Sequence, residues 1–136
     1  MELRAMETSP AVISGSGSAR MDTVSAMSGF SVIIVAYHSG PVLADSVQRA
    51  LSQPEVTELF VIDNSAGADP SILSLRQHPD SRIAVLDPQR NLGFGAACNL
   101  GAHHSRGDYL LFLNPDVLLP AGIGAELLQR ARAQPD

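Results

Sequence analysis

Lysine is absent from these 136 residues: all nine basic side chains are arginine, set against 14 acidic ones, for a net charge of -5. A polybasic membrane patch and a phosphate-gripping lysine are thereby excluded. The balance also leaves no electrostatic footprint for nucleic acid, which removes that class of partner. Any anion held here must be held by arginine, backbone amides or a metal. Cysteine is almost absent too, with Cys98 alone and no zinc-type spacing around it. An internal disulfide is impossible, and a reducing, cytoplasmic setting is the expectation. Long apolar runs are lacking as well, since even "GFSVIIVAY" has only the length of a strand. Glu2 and Glu7 and the want of an apolar core argue against a signal peptide. Peripheral contact with the inner face of a membrane stays open.

The length fits one domain with a real hydrophobic core. Residues 1–28 differ from the rest, being dominated by Ser, Gly, Ala and Thr and holding all four methionines, Met1, Met6, Met21 and Met27. Such a stretch buries too little apolar surface to offset its ordering entropy and is expected to be a disordered tail, with Met21 or Met27 as candidate true starts. The folded domain is expected over 29–136.

From Phe30 onward strand and helix signals alternate. Four apolar runs read as strands: "FSVIIVAY" (30–37), "ELFVID" (58–63), "RIAVLD" (82–87) and "YLLFL" (109–113). Between them "GPVLADSVQRALSQ", with Pro41 at a first helical position, the short "PSILSLRQH" and the small-residue stretch "GFGAACNLGAHHS" read as helices. "AELLQRARAQ" follows as a last helix. This alternation predicts an α/β fold: a Rossmann-like, mostly parallel sheet with helices on both faces. Ligands of such sheets bind beyond the carboxyl ends of the strands, where Tyr37 and His38, Asp63 and Asn64, Arg90 and Asn91, and Asn114 and Asp116 are expected to cluster.

Individual motifs are weak. "GFGAAC" begins like a dinucleotide fingerprint, but its third glycine is replaced by Cys98 and it follows the third strand instead of the first. A Rossmann-type nucleotide-binding regulator therefore has the fold and fails the fingerprint. His38, His103 and His104 have no cysteine partners and do not make a convincing metal cluster. "RGD" (106–108) reads as a turn feeding a strand, not an adhesion signal. Cys98 on a helix of small residues reads as inert. Asp63-Asn64 is either a turn or the acceptor for a nucleobase edge, and Asn114-Pro115-Asp116 is either a type I turn or half of a site for an oxygen-liking divalent cation.

Four segments in series resemble the nucleotide-sugar half of inverting glycosyltransferases of family 2, with the A-type glycosyltransferase fold: "SVIIVAYHS", "ELFVIDNSA", "RNLGFGAACNLG" and "GDYLLFLNPDV". The flavour is that of rhamnosyltransferase-like members, in which Asn-Pro-Asp stands where the family is better known for Asp-x-Asp. The resemblance implies a nucleoside-diphosphate sugar donor, dTDP-rhamnose among the candidates, a glycan or lipid-linked acceptor, and Mg²⁺ or Mn²⁺. It implies base and ribose contacts at Ala36 and Tyr37 and base pairing by Asp63. Arg90, Asn91, Gly93 and Asn99 would lie near the sugar diphosphate, and Asn114 and Asp116 at the metal. Ala36 and His38 depart from the asparagines usual at those two places. The general base and acceptor site are expected beyond Asp136, so the domain reads as incomplete at its C-terminus, completed by further sequence or a partner chain. The alternative is a catalytically silent module that binds the donor alone.

Overall fold

The computed structural model of the protein describes residues 2–5 and 27–134, with side chains from residue 29 onward. Its elements are β1 (Glu2–Ala5), β2 (Met27–Ala36), α1 (Val42–Leu51), β3 (Val56–Asp63), α2 (Pro70–Leu73), β4 (Ile83–Leu86), α3 (Phe94–His104), β5 (Gly107–Leu113) and α4 (Ile123–Ala133), with a 3₁₀ turn, Ser74–Gln77, continuing α2.

The sheet order is β1-β5-β2-β3-β4. β2, β3, β4 and β5 run parallel, and β1 closes the β5 edge antiparallel, Ala5 opposite Tyr109. From β2 the chain steps outward to β3 and β4, then crosses through α3 to β5 on the other side of β2. The order therefore reverses between β2 and β5, which makes their carboxyl ends the switch point of the sheet.

Alternation in the central strands explains the two cores. Phe30, Val32, Ile34 and Ala36 of β2, with Leu59, Val61, Leu111 and Leu113, face α1, α2 and α4; the intervening Ile33, Phe60, Ile62, Leu110 and Phe112 face α3 alone. Burial on both faces is why "FSVIIVAY" carries no polar alternation. α3 lies close on its face because Gly101 has no side chain: a Cβ there would stand 2.8 Å from Ile33 Cγ2.

Several expectations are corrected in detail. Four residues of the expected tail, Glu2–Ala5, form a strand, and β2 starts at Met27; residues 6–26 lie outside the described residues. Pro41 caps α1 from outside instead of opening it. "RGD" is no turn: Gly107 and Asp108 already belong to β5. Arg82 precedes β4, donating to the carbonyls of Val56 and Leu51 at 2.8 and 2.6 Å and gripping Asp80 at 2.7 Å. Side-chain and backbone hydrogen bonds from Arg82 hold the Asp80 carboxyl down at a pKa of about 2.

Candidate functional site

At the end of β2, Ala36 is buried opposite Asp63 and its carbonyl accepts from Asn64 N–H at 2.9 Å. Tyr37 then turns outward, 56% exposed, its ring edge-on to His38 at 4.5 Å. His38 has a φ of +51°, which lifts the following loop off the strand direction. Ser39 N–H donates to Asp69 Oδ2 at 3.1 Å while Asp69 Oδ1 caps α2 through Ser71 N–H at 2.9 Å. One buried carboxylate thus ties two of the loops that rim the crevice.

Asp63 lies at the expected strand end but is fully buried and engaged by its own turn. Its Oδ1 accepts from Ser65 N–H at 2.8 Å and Ser65 Oγ at 2.5 Å, its Oδ2 from Gly67 N–H at 3.2 Å, and Arg76 Nη2 stands 3.9 Å away. Arg76 also reaches Asp87 at 3.4 Å, so a guanidinium spans the ends of β3 and β4.

Asn64 fastens the next loop. Its Nδ2 donates to the Gly93 carbonyl and its Oδ1 accepts from Leu92 N–H, both at 3.2 Å. Asn91 Oδ1 accepts from Gly93 N–H at 2.8 Å, and Gly93 enters α3 with φ +80° and ψ 171°. The N-cap residue supplies no side-chain bond to α3, whose first amides have no partner within the helix, and a Cβ at Gly93 or Gly95 would meet nothing within 4 Å. That is the arrangement in which helix N-termini accept anions. Arg90 is exposed beside it. Asn99 is exposed too, but it sits in the middle of α3 and makes no hydrogen bond with the other candidates.

Across the switch point, Asn114, Pro115 and Asp116 form a turn closed by Val117 N–H to the Asn114 carbonyl at 3.1 Å. The segment is the turn that was one of the two expectations for it, and the Asn114 and Asp116 side chains are exposed. Among the described residues Asp116 has no ion-pair partner, and no group of three or more His, Cys, Asp or Glu gathers anywhere. The donor set near Asp116 therefore fits a hard divalent cation only if most of its ligands are waters and substrate oxygens. His38 lies at the end of β2, whereas His103 and His104 lie at the far end of α3.

The roles of Asp69 and Arg76 went unassigned in the sequence, as did the tie that Asn64, expected only at the strand end, makes to the loop before α3. Asp69 was the most findable, since Asp before Pro at a helix start is a capping signal. A hollow of about 370 Å³ at the opposite end of the sheet is lined by Glu58, Arg82, His104 and Arg106. Its charges are already engaged: Glu58 accepts from Ser31 Oγ at 2.6 Å and from Arg106 N–H, and Arg82 is held by Asp80.

The sequence profile described as "Glycosyl transferase family 2" matches residues 31–136. Among curated relatives, the succinoglycan biosynthesis protein ExoO of Rhizobium meliloti (strain 1021) is 32% identical over 103 residues, covering 74% of this chain and 29% of the relative. The uncharacterized glycosyltransferase YkcC of Bacillus subtilis (strain 168) is 27% identical over 108 residues, covering 74% of this chain and 33% of the relative. The chain thus spans about a third of the length of the curated relatives it matches. The fold is similar to that of the mannosyltransferase PcManGT from Pyrobaculum calidifontis, solved with GDP-Man and Mn²⁺. That comparison has a TM-score of 0.66 at 22% identity, over 79% of this chain and 32% of that one. It is similar also to S. aureus TarS 1-349 in complex with UDP-GlcNAc, with a TM-score of 0.62 at 22% identity, over 77% of this chain and 30% of that one. On the strength of that profile and the ExoO match, the chain belongs to glycosyl transferase family 2.

Proposed function

We propose that the carboxyl ends of β2, β3, β4 and β5 bind a nucleoside-diphosphate sugar together with Mg²⁺ or Mn²⁺, as the donor half of an inverting glycosyltransferase. The observation that carries this is Asp116: an exposed carboxylate with no partner among the described residues, across the switch point from the exposed ring of Tyr37. The neighbours solved with GDP-Man and Mn²⁺ and with UDP-GlcNAc share the fold, which supports a donor of this class.

The roles follow from chemistry. Tyr37 offers a face for a base or ribose, and Ala36, its side chain buried, contributes only its backbone beside it. Asn91 and Gly93 present the open amides of α3 to the diphosphate, with Arg90 and Asn99 as further polar groups on that side. Asp63 acts on the base pocket chiefly by shaping the loop over residues 64–68, since a base edge reaches its carboxylate only if the Ser65–Gly67 turn yields. Asp116, with Asn114 beside it, would hold the cation. Once bound, the cation neutralises charge that develops on the leaving diphosphate.

The acceptor, a glycan or lipid-linked sugar, and the base that takes its hydroxyl proton are assigned to sequence outside this chain or to a partner chain; dTDP-rhamnose is the proposed donor. A second reading is donor binding without transfer. Calorimetric titration with UDP, GDP and dTDP, each with and without Mn²⁺, tests the shared part. At least one should bind tenfold or more tighter with the metal; binding that ignores the metal, or none, would remove the proposed site. Product from dTDP-rhamnose and a lipid-linked acceptor would then exclude the silent reading.

A further inference from the structure

The segment that leaves the Asn-Pro-Asp turn, Val117 to Pro120, belongs to no helix or strand, so its carbonyls need partners from elsewhere. Three of them are taken by one stripe of α1 and its exit. Ser46 Oγ donates to the Val117 carbonyl at 2.7 Å, Arg49 Nη1 to the Leu119 carbonyl at 3.5 Å, and Gln53 Nε2 to the Pro120 carbonyl at 2.9 Å. Gln53 Oε1 also accepts from Gly124 N–H at 2.9 Å, so the same amide side chain holds the start of α4.

Ser46 is the unusual member. It is completely buried in the face of α1 that carries Leu43, Val47, Ala50 and Leu51, a face where packing alone calls for alanine. A serine within a helix commonly bonds back to its own preceding turn. This one reaches 71 residues along the chain, to the residue directly after Asp116. Val117 is consequently held at both of its peptide groups, its N–H by the Asn114 carbonyl at 3.1 Å and its own carbonyl by Ser46. The backbone that presents the Asp116 carboxylate is fixed on its C-terminal side by that pair of bonds.

We infer that Ser46 is a positioning residue for the cation and diphosphate site, acting through Val117 to set the direction of Asp116. This rests on the assignment of Asp116 to the metal. Among the described residues Asp116 belongs to no cluster of three or more potential ligands, so the direction of its carboxylate matters more than it would in a crowded site.

The test compares Ser46→Ala with Val47→Ala, which removes core volume from the next residue of the same helix without removing a hydrogen bond to the 117–120 segment. For each protein, affinity is measured for Mn²⁺ with whichever of UDP, GDP or dTDP binds the parent best, and for the same nucleotide without metal. Amide hydrogen exchange across residues 114–117 is followed in the metal-free state. Ser46→Ala should weaken the metal-dependent affinity about fivefold, the scale of one hydrogen bond, with little change in the metal-free affinity. It should also speed exchange at Val117 more than Val47→Ala does at matched stability, and Ser46→Thr should restore part of both. If Ser46→Ala and Val47→Ala match in metal dependence and in exchange, Ser46 is only structural. If the parent shows no metal-dependent binding, the reading of the Asp116 site fails instead; in that case the exchange comparison still decides whether Ser46 fixes the turn.

Discussion

Asp63 and Asp116 stand on either side of β2, at the ends of strands that both pair with it, and their environments are opposite. Asp63 is completely buried and accepts three hydrogen bonds from Ser65 and Gly67; Asp116 is exposed and has no partner among the described residues. Removing the first should therefore cost stability and removing the second should not. Asp63→Ala leaves two backbone amides and a hydroxyl without their acceptor and is expected to lower the unfolding free energy by about 3 kcal/mol. Asp116→Ala should stay within about 0.5 kcal/mol of the parent, as exposed substitutions do. Urea denaturation of both variants checks the contrast, and equal losses would contradict it. In the sequence the two carboxylates looked alike, each at or just past the end of a greasy strand and each within two residues of an asparagine. Burial of Asp63 depends on Ser65, Gly67 and Arg76 folding back over it, and nothing in the local pattern announces that. The distant ties made by Asn64 and Asp69 were hidden for the same reason: a turn vocabulary of Asp, Asn and Ser describes their neighbours without saying which distant loop each one ties.

At the scale of elements, the four parallel strands were legible because each is an apolar run bounded by turn residues, and their polar ends followed from the parallel order. What the pattern did not show was β1, whose partner is set by β5 far along the chain, nor the Ser46, Arg49 and Gln53 stripe, whose spacing is indistinguishable from an ordinary helix face. The β4 to α3 connection gives a paired prediction. Gly93 holds φ +80° and ψ 171°, a region that side chains other than glycine's avoid, whereas Gly95 is helical with open space around it. Gly93→Ala should destabilise by about 1–3 kcal/mol through backbone strain. Gly95→Ala should be neutral or stabilise by up to about 1 kcal/mol through helix propensity. Thermal unfolding of both variants reads the sign directly, and a neutral Gly93→Ala would mean that the entry to α3 is not held as described.

For the whole molecule, the sheet order places the switch point, the open end of α3, Tyr37 and the Asn-Pro-Asp turn at one end, and the engaged Glu58, Ser31 and Arg106 network at the other. The neighbours solved with GDP-Man and Mn²⁺ and with UDP-GlcNAc share the fold. No helix among the described residues is long and apolar enough to cross a membrane. One end of the sheet is proposed to hold a cation and a nucleoside diphosphate together. Paramagnetic broadening of backbone amide resonances by Mn²⁺ with bound UDP, GDP or dTDP tests it most directly. The account predicts broadening at Asn114 to Val117, at Tyr37 and His38, and at Gly93 to Gly95, with the amides around Glu58, Arg82 and Arg106 unaffected. Broadening centred on that opposite end, or none that depends on the nucleotide, would contradict it.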